Sequence, residues 1–309
     1  AGFIGFFLAK KLISEGHVVV GVDNFNDYYD VNLKKKRISL IDSKNFTFLH
    51  RDLNNLDSIN EESEFDLAIN LAAQAGVRIT SETEDRYKLS NVEGFKSFCD
   101  FCLNKKINKI IYASSSSVYD DKSLTKFSEE FTSTKPKSLY GRTKLFNEEY
   151  AAQFSKKNNL KFLGLRFFSV YGPYGRPDMA YYKFSVSLNN ESDIYLNDNG
   201  NMHRDMTYID DVIDGIMQSI TFLSSKQESS HEIFNLGNNN PIKTSYMLKK
   251  LEYLFNKKAK LIKVVSKNES KYTHADLSKS RSLLGYNPKI KFDEGINRFV
   301  DWFKKNQID

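Results

Sequence analysis

The chain has 309 residues, with 45 Lys and Arg against 39 Asp and Glu, a formal charge of +6, 40% hydrophobic residues and two cysteines. A chain of that length buries about 75% of the surface it exposes when unfolded, enough for one large domain or two interlocked ones. The basic residues are mostly Lys interleaved with acidic ones, and no apolar run approaches 18 residues, so neither a nucleic-acid stripe nor a membrane span is expected; with no disulfide framework a cytosolic setting is the default.

The opening "AGFIGFFLAKKLISEG" mimics a signal peptide, but it lacks a basic leading region and carries Lys10 and Lys11 after its apolar part. Gly2 and Gly5 before an apolar helix match instead the second and third glycines of a G-x-x-G-x-x-G turn. Gly2 would let backbone approach a pyrophosphate, Gly5 would let helix pack on sheet, and the helix start, with Phe3 and Ile4, offers N–H donors to phosphate. The strand "HVVVGVD" ends in Asp23, about 20 residues on, where a carboxylate accepts adenosine ribose hydroxyls and disfavours a 2′-phosphate. The expected cofactor is therefore NAD, with Asn24 beside it. The first glycine of the turn and its strand would precede Ala1. Because the first strand of a doubly wound sheet is central, the isolated 309-residue polypeptide is expected to fold poorly and to bind NAD weakly.

In "DVNLKKKRISLI" the positions of Val31, Leu33, Ile38 and Ile41 suggest a short helix with one buried side. "FTFLHRDL" reads as the next strand, closing at Asp52 and Leu53, where Asp52 has the position of an adenine-edge contact or of a helix cap. "FDLAINLAA" is a further strand, followed by a long helix in which Phe95, Phe98, Cys99 and Cys102 share one face. That spacing makes the cysteines small core residues; a redox or zinc role would need ligands that the scattered histidines do not supply. "KIIYASSSS" is a strand, "SLYGRTK" opens a helix that runs through "LFNEEYAAQFSKK", and "KFLGLRFFSVYG" is one more strand.

Strands alternating with helices indicate a doubly wound α/β domain, a parallel (Rossmann) sheet over residues 1–172, with near-continuous apolar strands such as Val18 to Val22 buried on both faces. Ligands in such sheets sit beyond the C-terminal strand ends, so the loops "LAAQAGVR", "ASSSSVYD" and "RFFSVYGPYGRPD" should converge on one crevice. After Gly172 the shorter elements "DIYLN", "EIFNLG" and "KLIKVV" and the closing helix "FDEGINRFVDWFKK" read as a smaller substrate-facing lobe, 173–309, interleaved with the first domain. Four of the ten Arg, namely Arg78, Arg166, Arg176 and Arg204, lie in Gly-rich or aromatic stretches, where a guanidinium fork could hold carboxylate or phosphate.

Tyr140 and Lys144 stand four apart, so on a helix the ammonium can bias the phenol toward phenolate. Together with Ser115 at the end of "YASSSS", they could move the proton of a sugar hydroxyl, the Tyr as base and then as acid.

The stretches "AGFIG", "VDNFNDYYD", "NLAAQAGVR", "YASSSSVY", "LYGRTK", "LRFFSVYGPYGRPDMA", "RDMTYIDD", "NLGNN" and "GINRFVDW" span nearly the whole length. On these the chain resembles the extended short-chain dehydrogenase/reductases, the NAD-dependent epimerase/dehydratase family, and within it the UDP-glucuronate 4-epimerases. The resemblance implies a bound NAD reduced and reoxidised within one turnover, Tyr140 deprotonating O4 of a UDP-sugar, and a 4-keto sugar that turns over and is reduced on its other face. It implies that Leu71, Ala72 and Ala73 line the cofactor, that Asn91 lies near the sugar and Phe167 near the nicotinamide, and that Arg204 holds the diphosphate. It also implies a homodimer through the Thr83 to Lys105 and Ser138 to Lys157 helices. Related 4,6-dehydratases carry an Asp-Glu pair after the catalytic Ser, and uronate decarboxylases a Glu; here stand Ser116 and Ser117. Those hydroxyls could cradle a C6 carboxylate, with Ser169 and Arg176; Arg176 could equally bind phosphate or brace its loop. Three positions depart from the pattern: Asp120 for Gly, Ser169 for Thr, and "KNESKYTHAD", in which Glu269 stands as candidate for the group that holds the uridine ribose. A 4-epimerase of neutral UDP-sugars and a non-catalytic NAD-binding scaffold are the alternatives.

Overall fold

The computed structural model describes residues 1–56, 59, 64–76, 84–119, 126–131, 135–264 and 270–306. Arg78, Asp120 and Glu269 lie outside the described residues.

The elements run α1 (Phe3–Ser14), β1 (Val19–Asp23), α2 (Val31–Ser39), β2 (Phe46–His50), β3 (Ala68–Asn70), α3 (Glu84–Tyr87), α4 (Gly94–Asn104), β4 (Lys109–Ser115), α5 (Leu139–Asn158), β5 (Lys161–Phe167), β6 (Ser169–Tyr171), α6 (Ala180–Asn189), β7 (Asp193–Asn197), β8 (His203–Tyr208), α7 (Ile209–Ser225), β9 (Ser230–Leu236), β10 (Pro241–Lys243), α8 (Thr244–Phe255), β11 (Lys260–Val264) and α9 (Phe292–Lys305). The expected long helix before β4 is α3, then a wider π-type turn over Lys88–Glu93, then α4.

The central sheet is parallel, in the order β3-β4-β5-β9. Its strands alternate between two cores, as a sheet covered on both faces requires. Ile110, Tyr112 and Phe162 point into a core with Phe95, Cys99 and Cys102 of α4 and Ala151 of α5, while Ile111, Leu163 and Leu165 point into a larger one with Leu8 of α1 and Ile213 and Ile216 of α7. The buried face expected of the cysteine helix is present, with Phe95 and Phe98 beside Cys99 and Cys102, both 0% exposed. Burial pushes both thiols far above the usual cysteine range. Strand β9 lies beyond Gly172 in sequence yet pairs with β5, so the two halves of the chain share one sheet.

Three expectations change. Strands β1 and β2 form a separate two-stranded parallel sheet; among the described residues no strand joins β1 to β3. Val18 is accordingly 77% exposed, and β1 is half-buried along its length instead of covered on both faces. The stretch "KFLGLRFFSVYG" is two strands: Phe168 still bonds Leu236 of β9, but Ser169–Tyr171 turn away to pair with β8 in a β10-β8-β6 sheet. In α2 the buried residues are Lys34 and Arg37, not the apolar set, because both heads find oxygen acceptors inside the fold. Among the described residues no helix is long and apolar enough to cross a membrane.

Candidate active site

The C-terminal ends of the parallel strands open on a cleft of about 1390 Å³. Leu71 to Gly76 after β3, Ser114 to Ser117 at the end of β4, Phe167 to Val170 from the end of β5, and Arg176 to Met179 all line it, so the three loops converge as expected.

Tyr140 and Lys144 face this cleft from the first turns of α5. Ser138 caps the helix by accepting the Gly141 N–H at 3.0 Å, which sets the helical phase of the pair. Gly141 then brings helix and serine loop into contact, since a Cβ there would lie 2.2 Å from the Ser117 carbonyl oxygen. The Tyr140 phenol is within hydrogen-bond reach of Ser115, whose Oγ also accepts the Ser117 N–H at 3.1 Å. Burial pushes the phenol above its ordinary value, and the Arg176 guanidinium and the Ser115 hydroxyl pull it back.

Lys144 stands beside Tyr140 on the same face of α5, as the spacing requires. Its Nζ lies 5.9 Å from the Tyr140 ring centroid and donates to the Ala113 carbonyl at 2.8 Å. Burial lowers its ammonium to about 8, opposed by Glu148. The Arg176 guanidinium adds a further positive charge that acts on the phenol.

The cofactor residues fall into two groups. Gly2, Phe3, Ile4 and Gly5 line the cleft at the start of α1, where no side chain caps the helix and its first N–H groups face open space. A Cβ on Gly2 or Gly5 meets nothing within 4 Å. That suits close approach of a phosphate at Gly2. At the other end stand Asp23, Asn24, Asp52 and Leu53. Asp23 accepts the Phe25 N–H at 2.7 Å and faces Lys34 at 3.8 Å. Asp52 accepts from Asn54 at 2.9 Å and Asn24 at 2.7 Å; burial would raise its carboxyl, but these donors outweigh it and hold the carboxyl below the usual range. Leu71, Ala72, Ala73 and Phe167 form the wall between the two groups. A phosphate-ready helix start and a strand-end carboxylate in one cleft fit an adenine dinucleotide.

Of the substrate residues, Ser116, Ser117, Ser169, Arg176 and Arg204 line the cleft. Arg204 donates to the His203 carbonyl at 3.0 Å. Arg176 is paired with Asp178, Nε to Oδ1 at 2.9 Å. Asn91 is not at the wall: it is 1% exposed, and its amide is spent on the Gln74 backbone at 2.7 and 3.0 Å and on Thr143 at 3.1 Å. It holds the loop that forms the wall. Arg166 is likewise structural, bound through two bonds of 2.8 and 2.7 Å to Glu148 and lying over the Tyr119 ring at 4.6 Å. Residue reading missed Tyr28, Lys34 and Asp178, which line the cleft, and Gly141 and Glu148 behind it. The unexplained "NDYYD" and the acid in "GRPD" were the available signals. Among the described residues no cluster of His, Cys, Asp and Glu could hold a metal.

A family model described as the NAD dependent epimerase/dehydratase family matches residues 1–237. The protein CapI of Staphylococcus aureus is 38% identical over 98% of this chain and 96% of its own. UDP-glucuronate 4-epimerase 4 of Arabidopsis thaliana is 36% identical over 98% of this chain and 73% of its own. The crystal structure of a UDP-glucuronic acid 4-epimerase from Bacillus cereus, in complex with UDP-glucuronic acid and NAD, is 31% identical with a TM-score of 0.91 and covers 99% of this chain and 97% of that one.

Proposed function

Because the chain belongs to the NAD-dependent epimerase/dehydratase family, we propose that it inverts C4 of a UDP-sugar, with UDP-glucuronate as the substrate and UDP-galacturonate as the product. The observation that carries the reading is the meeting, in one cleft, of a Tyr140–Ser115 pair, a nearby guanidinium and a dinucleotide-type helix start. Bound NAD supplies a hydride acceptor and donor at C4, so that no net oxidation occurs.

The chain's own residues do the rest. The Ser115 hydroxyl orients the sugar O4 against Tyr140, which takes its proton and later returns it. Arg176 and Ser115 make the phenol a better acid than burial alone would leave it, and so a phenolate is reached nearer neutral pH. The hydroxyls of Ser116, Ser117 and Ser169 and the guanidinium of Arg176 receive the C6 carboxylate without a repelling acid nearby on the serine loop. Arg204 meets the diphosphate, and the N–H groups at Gly2 to Gly5 the cofactor pyrophosphate. The assembly belonging to this reading is a homodimer through the region of α4 and α5, and its setting a reducing, cytosolic one in which Cys99 and Cys102 stay free.

One observation favours a neutral sugar instead: Arg176 already has a carboxylate partner in Asp178. A full-length version shown to hold NAD, incubated with UDP-glucuronate, UDP-glucose and UDP-N-acetylglucosamine, with products resolved by NMR, decides between them. Conversion of UDP-glucuronate alone is expected. Equal conversion of the neutral sugars removes the uronate assignment, and no conversion at all favours a scaffold.

A further inference from the structure

The motif "NDYYD" has no part in the reading above, yet Tyr28 reaches the loop that carries Arg176 directly and Tyr29 reaches it through Arg37. Tyr28 Oη donates to Asp178 Oδ2 at 3.2 Å, and the same carboxylate takes the Nε and Nη2 protons of Arg176. Tyr29 Oη accepts from Arg37 Nη1 at 2.7 Å. Arg37, 0% exposed, in turn donates to the carbonyls of Tyr174, at 3.1 and 2.7 Å, and of Gly175, at 3.2 Å. Asp30 caps the helix from which Arg37 projects, accepting the Asn32 N–H at 2.9 Å. A single short segment after β1 therefore grips the Gly172–Asp178 loop on both sides of Arg176.

The geometry at the guanidinium has a direction. Its five donors lie in one plane. Asp178 takes the Nε–Nη2 edge, which leaves the Nη1–Nη2 edge without an acceptor among the described residues. The Tyr28 hydroxyl sits against Gly76, where a Cβ would stand 2.2 Å from it, so a residue without a side chain makes its place. A planar fork held on one edge and open on the other is suited to a second planar carboxylate.

We propose that Tyr28 and Asp178 are a positioning pair that presets the open edge of Arg176 for a substrate carboxylate, so that the loop after β1 takes part in choosing the sugar class. The inference rests on the uronate reading of Arg176 above. A plain brace of the fold would act on every substrate alike; a preset fork acts on acidic ones.

The test uses the full chain loaded with NAD, and measures kcat and KM for UDP-glucuronate and UDP-glucose in Arg176→Ala, Asp178→Ala, Tyr28→Phe and the Tyr28→Phe/Asp178→Ala double variant. Where turnover of one sugar is too slow to follow, calorimetric Kd values for the two supply the same ratio. Tyr28→Phe, which removes one hydroxyl, is expected to raise KM for UDP-glucuronate about 3- to 10-fold, the range of one lost hydrogen bond. Its kcat, and both constants for UDP-glucose, should stay within about twofold, and Asp178→Ala should lower the preference further. In the Asp178→Ala background the Tyr28 change should add nothing, because its effect runs through that carboxylate. Equal losses on both sugars, or full additivity in the double variant, overturn the proposal. If Arg176→Ala leaves the preference unchanged, the uronate reading itself falls and takes the pair with it; if Arg176→Ala abolishes the preference and Tyr28→Phe does not touch it, only the pair is wrong.

Discussion

The cleft has two walls of different construction. On the α5 side, Ser115 and Lys144 are buried ends of a strand and a helix, and behind Lys144 the Glu148 carboxylate receives Arg166 through two bonds and the Ser114 hydroxyl through a third. On the opposite side, Ser169 and Arg176 are half-buried, and Arg176 meets Asp178 in a pair whose side chains are 26% and 23% exposed. Both walls present a bidentate Arg–carboxylate pair, one sealed in the sheet and the other open to the cleft. The sealed pair ties α5, which carries Tyr140, to strands β4 and β5, while the open one is exposed enough to meet a ligand. The arrangement puts reaction on rigid elements and discrimination on loops.

The largest effect expected is on the sealed wall. Tyr140→Phe removes the proton shuttle and should lower C4 inversion about 10²- to 10⁴-fold, read as product formation by NMR, while NAD binding persists. Inversion at the unaltered rate would move the chemistry off α5 altogether. Next comes Glu148→Ala, which leaves Arg166 buried and unpaired and should cost about 3–5 kcal/mol in urea unfolding. Asp178→Ala, at the partly solvated pair, should cost clearly less. Comparable losses at the two sites would erase the distinction between the walls.

A third effect is pH-dependent. The Lys144 ammonium, lowered to about 8, sits below its ordinary unfolded value near 10.4, so the unfolded chain binds more protons between those values. Stability from this group is therefore lowest below pH 8 and rises toward pH 10.4; Tyr140, raised above its usual value, works against it only above about pH 10. Relative to Lys144→Met, the cofactor-free protein should gain about 2 kcal/mol between pH 7 and 9.5. A flat difference would mean that Lys144 is solvated. The smallest effect belongs to the outer surface: Asp27→Ala, which removes the exposed pair with Arg86, should change stability by less than about 1 kcal/mol, since solvent screens it. A larger loss would show that the loop after β1 is held from outside as well as by Tyr28 and Tyr29.

Local pattern was enough for what depends on local geometry. The spacing of Tyr140 and Lys144, the strand-end place of Asp23, the apolar face with Cys99 and Cys102, and the alternation that builds a parallel sheet were all readable, because helix and strand periods assign neighbouring residues to one face. The same pattern could not rank the arginines. Arg166 and Arg176 look alike in sequence, both beside aromatic or Gly-rich runs, but one is consumed by Glu148 and the other faces the cleft. Nor could it find Arg37 inside a run of lysines, the bond of Lys144 to Ala113, or the turn at Phe168 that divides one apolar run between two sheets.

By itself, then, the sequence determined the fold class, the cofactor-type turn and the shared face of Tyr140 and Lys144, all of which are set by residues within a few turns of one another. The tertiary structure alone decided which charge finds which partner. Tyr28 meets Asp178 across 150 positions, and Arg37 meets Tyr174 across 137. Contacts at such separation are fixed by how whole layers pack, and no short-range period carries that information.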